Sequence, residues 1–219
     1  MIRRLLIQKR SHLRNRGFTL VELMVTASIF VFMTALVVAK YGTFNQSVLL
    51  TNLAYDVALT VRTAQTYGLS VQGQTSGGGP LVFNSAYGIH FDTSNGTVMK
   101  LFADTNILDT PINPTDHVYD PLDTTVNTYN IKNGGSITSL CVSTGSGDCK
   151  TIFVSGNTTN VKKVSTLDIS FKRPDPSAVI CLGSNDCNYT SAQITITGPG
   201  TTQTRTVTVK KNGQITVDN

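Results

Sequence analysis

The stretch that decides the fold runs from Phe18 to Ala39 and reads FTLVELMVTASIFVFMTALVVA. Its 22 residues carry a single charge, Glu22, and the stretch is bounded by Arg16 before it and Lys40 after it. A helix of this length covers roughly 33 Å at 1.5 Å per residue, which is enough to cross a hydrocarbon core. A buried core helix is the alternative, but such helices rarely lack polar positions for so long. The stretch therefore predicts a transmembrane helix over residues 18–39.

Positive charge is concentrated in front of this helix. Residues 1–17 contain six Lys or Arg and no acidic residue, while the whole chain has a net charge of +5. Without them, 12 Lys and Arg face 13 Asp and Glu, so the rest of the chain is close to neutral. The positive-inside rule then places the start of the helix at the cytoplasm and the chain after about residue 40 on the far side. We expect a single-pass inner (cytoplasmic) membrane protein with an extracytoplasmic C-terminal domain.

A secretory signal sequence is the rival interpretation, because it also places an apolar run after basic residues. That interpretation requires small residues of the Ala-x-Ala type after the run, but KYGTFN follows at residues 40–45. The distinctive residues stand before the run instead, in the string RGFTLVEL at residues 16–23.

This string resembles the prepilin family, whose members have a basic leader that ends in Gly, then Phe, a Thr-Leu-(Val/Ile)-Glu stretch and a long apolar helix. The resemblance implies that residues 1–17 are a leader, which a prepilin peptidase removes between Gly17 and Phe18. It also implies that the same enzyme methylates the amine of Phe18. Glycine suits the cleavage position because its missing side chain lets the backbone lie close to the catalytic groups. The mature chain would then be a structural subunit of a type IV pilus or a type II secretion pseudopilus, assembled at an inner-membrane platform.

Glu22 is the only Glu in the chain, and it lies inside the apolar run. A carboxylate in lipid costs a few kcal/mol, so it should have a partner. A side chain that simply reaches the headgroups is the alternative, since Glu22 lies near the helix end. The family resemblance implies a different partner, the N-terminal amine of a neighbouring pilin subunit, and such a pair would set the axial register between subunits.

Beyond the membrane the helix is predicted to continue to residue 70 as an amphipathic helix. Apolar or small residues recur at spacings of three and four, with polar residues such as Thr60 between them; the stripe is Leu50, Leu53, Val57, Val61, Ala64 and Gly68. The absence of Pro near Ala39 favours a minor or pseudopilin-type subunit over a major pilin.

Residues 71–219 are predicted to form a β-rich head domain. Gln72–Pro80 reads as a flexible connection, and short β-type runs separated by turns follow it. The predicted strands are Leu81–Phe83, Tyr87–Phe91, Thr97–Phe102, Ser136–Val142, Thr151–Val154, Leu167–Phe171, Ala178–Leu182, Gln193–Thr197, Arg205–Lys210 and Gln214–Val217. Asn212-Gly213 indicates a two-residue hairpin between the last two. The fold class is therefore α+β, an antiparallel sheet domain against the amphipathic half of the helix.

Parts of the head look like the H-type (GspH/FimT) minor pseudopilins. The similarity lies in the helix segment at residues 53–65, the YGIHF strand at residues 87–91 and the closing hairpin. Competence-type relatives of that family bind DNA, which gives an alternative function in natural DNA uptake. The candidate phosphate contacts are Arg205, Lys210, Lys211, Lys162, Lys163, Lys172 and Arg173. Charges that keep strand ends soluble are the simpler explanation.

Four cysteines, an even number, lie in the head domain, as expected for an oxidising compartment. Each near pair spans a turn-rich stretch, so we predict disulfides Cys141–Cys149 and Cys181–Cys187, although four cysteines allow three pairings. Zinc ligation lacks the usual C-x2-C or paired-His spacing.

We expect neither catalysis nor a cofactor, because no catalytic or phosphate-binding motif is present. Calcium is a possible exception at an acidic loop, where oxygen ligands crowd without the EF-hand spacing. A solvated surface loop is the favoured interpretation of these residues, which are Asp104, Asn106, Asp109, Asp116, Asp120 and Asp123.

Overall fold

A computed structural model describes residues 17–75, 81–105, 116–132, 134–145, 161–183, 186–200 and 202–218. Helix α1 spans Leu20–Leu69, and antiparallel strands follow it, so the predicted α+β class is confirmed. The chain divides into two compact units, residues 1–43 and residues 44–219. The boundary between them falls inside α1, near the predicted end of the transmembrane stretch.

The first part of α1, up to residue 42, exposes its apolar side chains all round. Phe30 and Val37 are 72% and 68% exposed, which in water would be costly over so long a surface. The polar side chains Thr26, Ser28 and Thr34 donate hydrogen bonds to the carbonyl oxygens of Leu23, Val25 and Phe30 on their own helix. Internal satisfaction of this kind is what a helix in lipid requires. By length and composition α1 can cross a membrane.

The second part of α1 buries one stripe in the head. Of the predicted stripe, Leu53 is half-buried and the other residues are buried, with Ala54 added to them. Thr60 and Gln65 are also buried, so the prediction that Thr60 lies on the polar face is wrong. The hydroxyl of Thr60 donates to the carbonyl oxygen of Asp56 at 2.8 Å, which satisfies it inside the helix.

Among the described residues twelve strands follow the helix, and ten of them form two five-stranded sheets. The first sheet has the order β5-β4-β3-β8-β9 and the second the order β12-β11-β10-β6-β7, while β1 and β2 pair separately. The strands are β1 Gln74–Thr75, β2 Leu81–Val82, β3 Ala86–Asp92, β4 Val98–Asp104, β5 Thr124–Asn130, β6 Ser136–Ser143, β7 Val161–Val164, β8 Thr166–Lys172, β9 Asp175–Cys181, β10 Ser191–Thr197, β11 Thr204–Lys210 and β12 Ile215–Asp218. The predicted strand Thr151–Val154 lies outside the described residues.

Both sheets and the helix stripe share one apolar core. Phe91 of β3, Phe171 of β8 and Ile194 of β10 are fully buried beside Val57 and Val61 of α1. The residues of β10 alternate between buried and half-buried positions, which is the pattern of a strand with one face on a core. The head is therefore organised around the amphipathic half of α1.

The closing hairpin has a different turn from the predicted one. The amide of Lys210 donates to the carbonyl oxygen of Gln214 at 2.9 Å, so three residues, Lys211–Gly213, form the loop instead of two. Gly213 has φ +82°, and a glycine in the left-handed region is typical of three-residue hairpin loops. A Cβ there would also lie 2.4 Å from the carbonyl oxygen of Pro176, so this position requires glycine.

Candidate processing and assembly segment

The start of α1 is capped by Thr19. The amide of Glu22 donates to the hydroxyl oxygen of Thr19 at 3.2 Å, and the amide of Leu23 donates to the Thr19 carbonyl oxygen at 3.1 Å. Thr19 is therefore the N-cap residue and Glu22 the third helical residue, the Thr-x-x-Glu spacing of a capping box. The sequence interpretation assigned no role to Thr19, although this spacing was a signal that could have revealed one.

Gly17 and Phe18 precede the cap and are exposed to solvent, with Phe18 77% exposed. A Cβ added at Gly17 would meet no atom within 4 Å. Among the described residues, no packing contact therefore requires glycine at position 17.

The Glu22 carboxylate is exposed on the first turn of α1. Within the part of the chain that the structure describes, it makes no hydrogen bond or ion pair. The positive end of the helix dipole stabilises such a charge by about 0.3–1 kcal/mol, which is less than the roughly 2.5–3.5 kcal/mol that a charge costs at the centre of a membrane helix. The dipole therefore offsets only part of the cost of placing this carboxylate in lipid, and the headgroups or a cationic or hydrogen-bonding partner would supply the rest.

Comparison with protein families identifies the same segment. Residues 12–38 match the prokaryotic N-terminal methylation motif. The chain carries the N-terminal signature of a type IV prepilin-like protein. No curated protein and no solved structure matches the chain significantly. The motif and the apolar helix together indicate a membrane-anchored, prepilin-like chain.

The head of this prepilin-like chain contains the predicted disulfide Cys181–Cys187, which closes the loop after β9. Cys141, on β6, is also disulfide-bonded, and its predicted partner Cys149 lies outside the described residues. Among the described residues there is no free cysteine.

The acidic residues predicted to form a solvated loop include two that are buried. Asp104 and Asp123 are 2% and 9% exposed, so that prediction is wrong for both. The carboxylate of Asp104 accepts a hydrogen bond from the amide of His117, and Asp123 accepts from the amides of Thr105 and Asp120. They are buried because they satisfy backbone amides that would otherwise lack acceptors.

Calcium binding by this loop stays the untested alternative to a solvated loop. Asp116 and Asp120 likewise accept hydrogen bonds from backbone amides two residues on, while Asn106 and Asp109 lie outside the described residues. Within the described ranges no group of three His, Cys, Asp or Glu side chains is arranged to hold a metal ion.

A second polar cluster lies on the face of the first sheet opposite the helix. His90 on β3 and Asp168 on β8 are directly opposite each other, and His90 Nδ1 lies 2.8 Å from Asp168 Oδ1. The ring of Tyr119 packs 4.9 Å from the His90 ring, and Lys100 Nζ lies 4.6 Å from the centre of the Tyr119 ring. Residues 116–120 are thereby held against the sheet.

His117 in this segment has φ +64°, a left-handed backbone conformation that is uncommon outside glycine but in which His, Asn and Asp are enriched. Its Nδ1 lies 3.0 Å from Ser170 Oγ. Burial lowers the pKa of the His117 imidazole, and Lys172 acts in the same direction, against a smaller opposing effect of Asp116. The neutral ring is therefore the form that the folded head accommodates.

We expect this histidine to make the head acid-sensitive. A group whose pKa is lowered on folding contributes stability that is complete above its ordinary pKa of 6.5 and is lost as the pH falls through the folded value. The melting temperature of the full chain in detergent should thus fall between pH 7.5 and pH 5. In His117→Asn, which tolerates the positive φ, the fall should be smaller. Parallel melting curves for the two proteins would contradict this prediction.

The basic residues considered for DNA binding occupy different places in the head. Lys162 and Lys163 lie on β7 of the second sheet, whereas Lys172 and Arg173 lie at the end of β8 in the first. Arg173 donates to the carbonyl oxygens of Ser70 and Phe83, which ties β2 to the end of α1. Two of the remaining basic residues, Arg205 and Lys210, lie near opposite ends of β11. DNA binding stays a prediction.

Proposed function

We propose that this chain is a minor pilin or pseudopilin, a structural subunit of a type IV pilus or of a type II secretion pseudopilus. A prepilin peptidase cleaves it between Gly17 and Phe18 and methylates the new amine. The assembly platform of the inner membrane then extracts the mature subunit, and the helices of neighbouring subunits pack together in the filament.

The observation that carries this proposal is the position of Glu22. Glu22 is the acidic residue of the membrane-length part of α1. The hydroxyl groups of Thr26, Ser28 and Thr34 in that part bond within the helix. The Glu22 carboxylate, by contrast, makes no bond among the described residues. Cleavage after Gly17 creates a positive amine four residues before it. Following the resemblance to the prepilins, we take the partner of the carboxylate during assembly to be this amine on a neighbouring subunit, which would supply the counter-charge where water is excluded.

The H-type minor pseudopilin family is the assignment we favour within this class. Its support comes from the sequence of the buried helix stripe, from strand β3 and from the closing hairpin. The absence of proline in the transmembrane part of α1 supports a minor subunit in the same way. The proposal leaves open whether the filament secretes proteins, adheres or takes up DNA.

Processing provides the first test. When the chain is co-expressed with a prepilin peptidase, mass spectrometry should find a mature protein that begins at Phe18 and carries one additional methyl group. Gly17→Val should reduce cleavage by about tenfold or more, because the peptidase needs close approach to the backbone at this position. The expected ratio of cleaved to uncleaved chain is read from intact masses.

Gly42→Val is the matched control. A Cβ at Gly42 also meets no atom within 4 Å, so neither substitution creates a steric clash in the chain itself. Normal cleavage of Gly42→Val with loss of cleavage in Gly17→Val assigns the effect to the peptidase site. A chain that keeps Met1, or one cut after the apolar run, would contradict the prepilin interpretation.

A further inference from the structure

The polar groups at the start of α1 form only one half of a capping box. In the complete motif the N-cap side chain accepts from the amide of the third helical residue, and the side chain of that residue reaches back to the amide of the N-cap. The hydroxyl oxygen of Thr19 accepts from the amide of Glu22 at 3.2 Å, which is the first of these bonds. Among the described residues the Glu22 carboxylate makes no bond in return. The cap therefore holds the backbone of Glu22 and leaves its side chain available.

The amide of Glu22 depends on this cap. It lies just before the first backbone bond of the helix, which joins the amide of Leu23 to the carbonyl oxygen of Thr19. An amide at this position has no acceptor in the helix backbone, so a side chain or water must supply one. Water is available at a membrane surface, but it is absent from lipid, where an unsatisfied amide is costly. The hydroxyl of Thr19 therefore matters most where water is excluded, as it is in the core of the proposed filament.

The other hydroxyl groups in residues 17–42 bond in the opposite sense. Thr26, Ser28 and Thr34 each donate to a carbonyl oxygen of their own helix, and none of them accepts from a backbone amide. Their loss would leave no amide without an acceptor. Among the described residues of this part of α1, Thr19 is thus the only side chain that satisfies a backbone amide.

We propose that Thr19 is a positioning residue for assembly and that it acts through Glu22. Its hydroxyl oxygen fixes the first turn of α1 without water, so that the Glu22 carboxylate meets a neighbouring subunit from a backbone that is already ordered. The position requires an acceptor oxygen and not a hydroxyl as such, because serine and asparagine cap helices at least as well as threonine. This inference rests on the proposed function.

The cap can be observed directly, because Glu22 is the only Glu in the chain. Cell-free synthesis of the full chain with glutamate labelled with nitrogen-15 gives a single labelled amide, whose hydrogen exchange is followed by NMR in detergent. Thr19→Val has nearly the same shape but no acceptor, so this amide should exchange at least about tenfold faster than in the wild type. Thr19→Ser and Thr19→Asn should restore slow exchange. Equally slow exchange in Thr19→Val overturns the inference.

Assembly is measured as the fraction of the cleaved chain that is found in sheared filaments, so that any effect on the peptidase does not enter the ratio. Thr19→Val should enter filaments about tenfold less than the wild type, which corresponds to about 1.4 kcal/mol. Thr19→Ser and Thr19→Asn should enter at the wild-type level. Thr26→Val is the matched control, because it also replaces a hydroxyl with a methyl group in this part of α1, but no amide depends on Thr26. Its entry should be unchanged.

The outcomes separate this inference from the proposed function. If the wild type is cleaved and enters filaments but Thr19→Val enters equally well, the positioning role is wrong and the proposed function stands. Rescue by Thr19→Ser without rescue by Thr19→Asn also overturns the inference, because the hydroxyl would then be recognised by another protein. An equal loss in Thr26→Val overturns it as well, because capping would not be the cause. Failure of the wild type to be cleaved or to enter filaments contradicts the proposed function itself.

Discussion

A Glu22→Ala chain should be cleaved and methylated normally but should enter filaments about a hundredfold less than the wild type. Removing one partner of a charge pair that is shielded from water costs about 3–5 kcal/mol, because the other charge stays buried without compensation. Each 1.4 kcal/mol corresponds to a factor of about ten in an equilibrium constant. The alanine itself favours a helix, so α1 should remain intact. The measurement is the amount of the chain in sheared filaments relative to the membrane fraction.

Ser28→Ala is the matched control for this prediction. This substitution removes a polar group from the same exposed part of α1. The hydroxyl of Ser28, however, is already bonded to the carbonyl oxygen of Val25. Its loss should not change incorporation. Glu22→Asp, which keeps the charge on a shorter side chain, should give an intermediate level. If Glu22→Ala enters filaments as well as Ser28→Ala does, the carboxylate has no role in assembly.

Helix α1 could be predicted because its length, apolar composition and buried stripe are all set by residues close together in the sequence. Length and apolar composition indicated the membrane stretch, and the spacing from Leu50 to Gly68 indicated the stripe that the head buries. The cap at Thr19 was equally local but was overlooked. The helix begins at Leu20 and ends at Leu69, within two residues of the predicted bounds.

The sheets were predictable where a strand has one face on the core. The predicted strand Gln193–Thr197 corresponds to β10, Leu167–Phe171 to β8 and Tyr87–Phe91 to β3, each with two added residues. Strands β5 and β7 were missed, because TTVNTYN and VKKV carry few apolar residues. These are edge strands, so pairing with one neighbouring strand and partial burial of Val126, Tyr129 and Val164 hold them in place. Gln74–Thr75, within the predicted flexible connection, is likewise a strand because it pairs with β2.

The polar cluster of the head could not be predicted at all. His90 and Asp168 are 78 residues apart, and only the register of β3 with β8 places them opposite each other. The sequence predicted Asp104 and Asp123 to lie on the surface, because aspartate is seldom buried unless it is paired. Their partners are backbone amides, and no local pattern marks which amides a fold will leave without an acceptor.

Loss of the Asp168 carboxylate should strongly destabilise the head. Its side chain is 3% exposed, and it accepts hydrogen bonds from His90 and from the amide of Tyr119. Asp168→Ala leaves the Tyr119 amide and the half-buried His90 ring without this acceptor, which should lower the free energy of unfolding by about 3 kcal/mol. Asp168→Asn keeps one acceptor oxygen and should lose about half as much. Denaturant unfolding of the full chain in detergent, followed by tyrosine fluorescence, measures both.

Asp168→Ala is expected to destabilise the head because it removes the acceptor of His90 and Tyr119, and not because it removes a charge. Burial raises the pKa of Asp168, and the His90 interaction opposes that shift without cancelling it. Ionisation of Asp168 in the folded head is thus costly by itself. Its titration contributes most favourably to the free energy of unfolding at low pH, and this contribution is lost as the pH rises through the raised pKa. If charge alone mattered, Asp168→Ala would stabilise the head at neutral pH. Destabilisation by Asp168→Ala, with little change in the exposed control Asp175→Ala, would show that the unsatisfied donors of His90 and Tyr119 dominate.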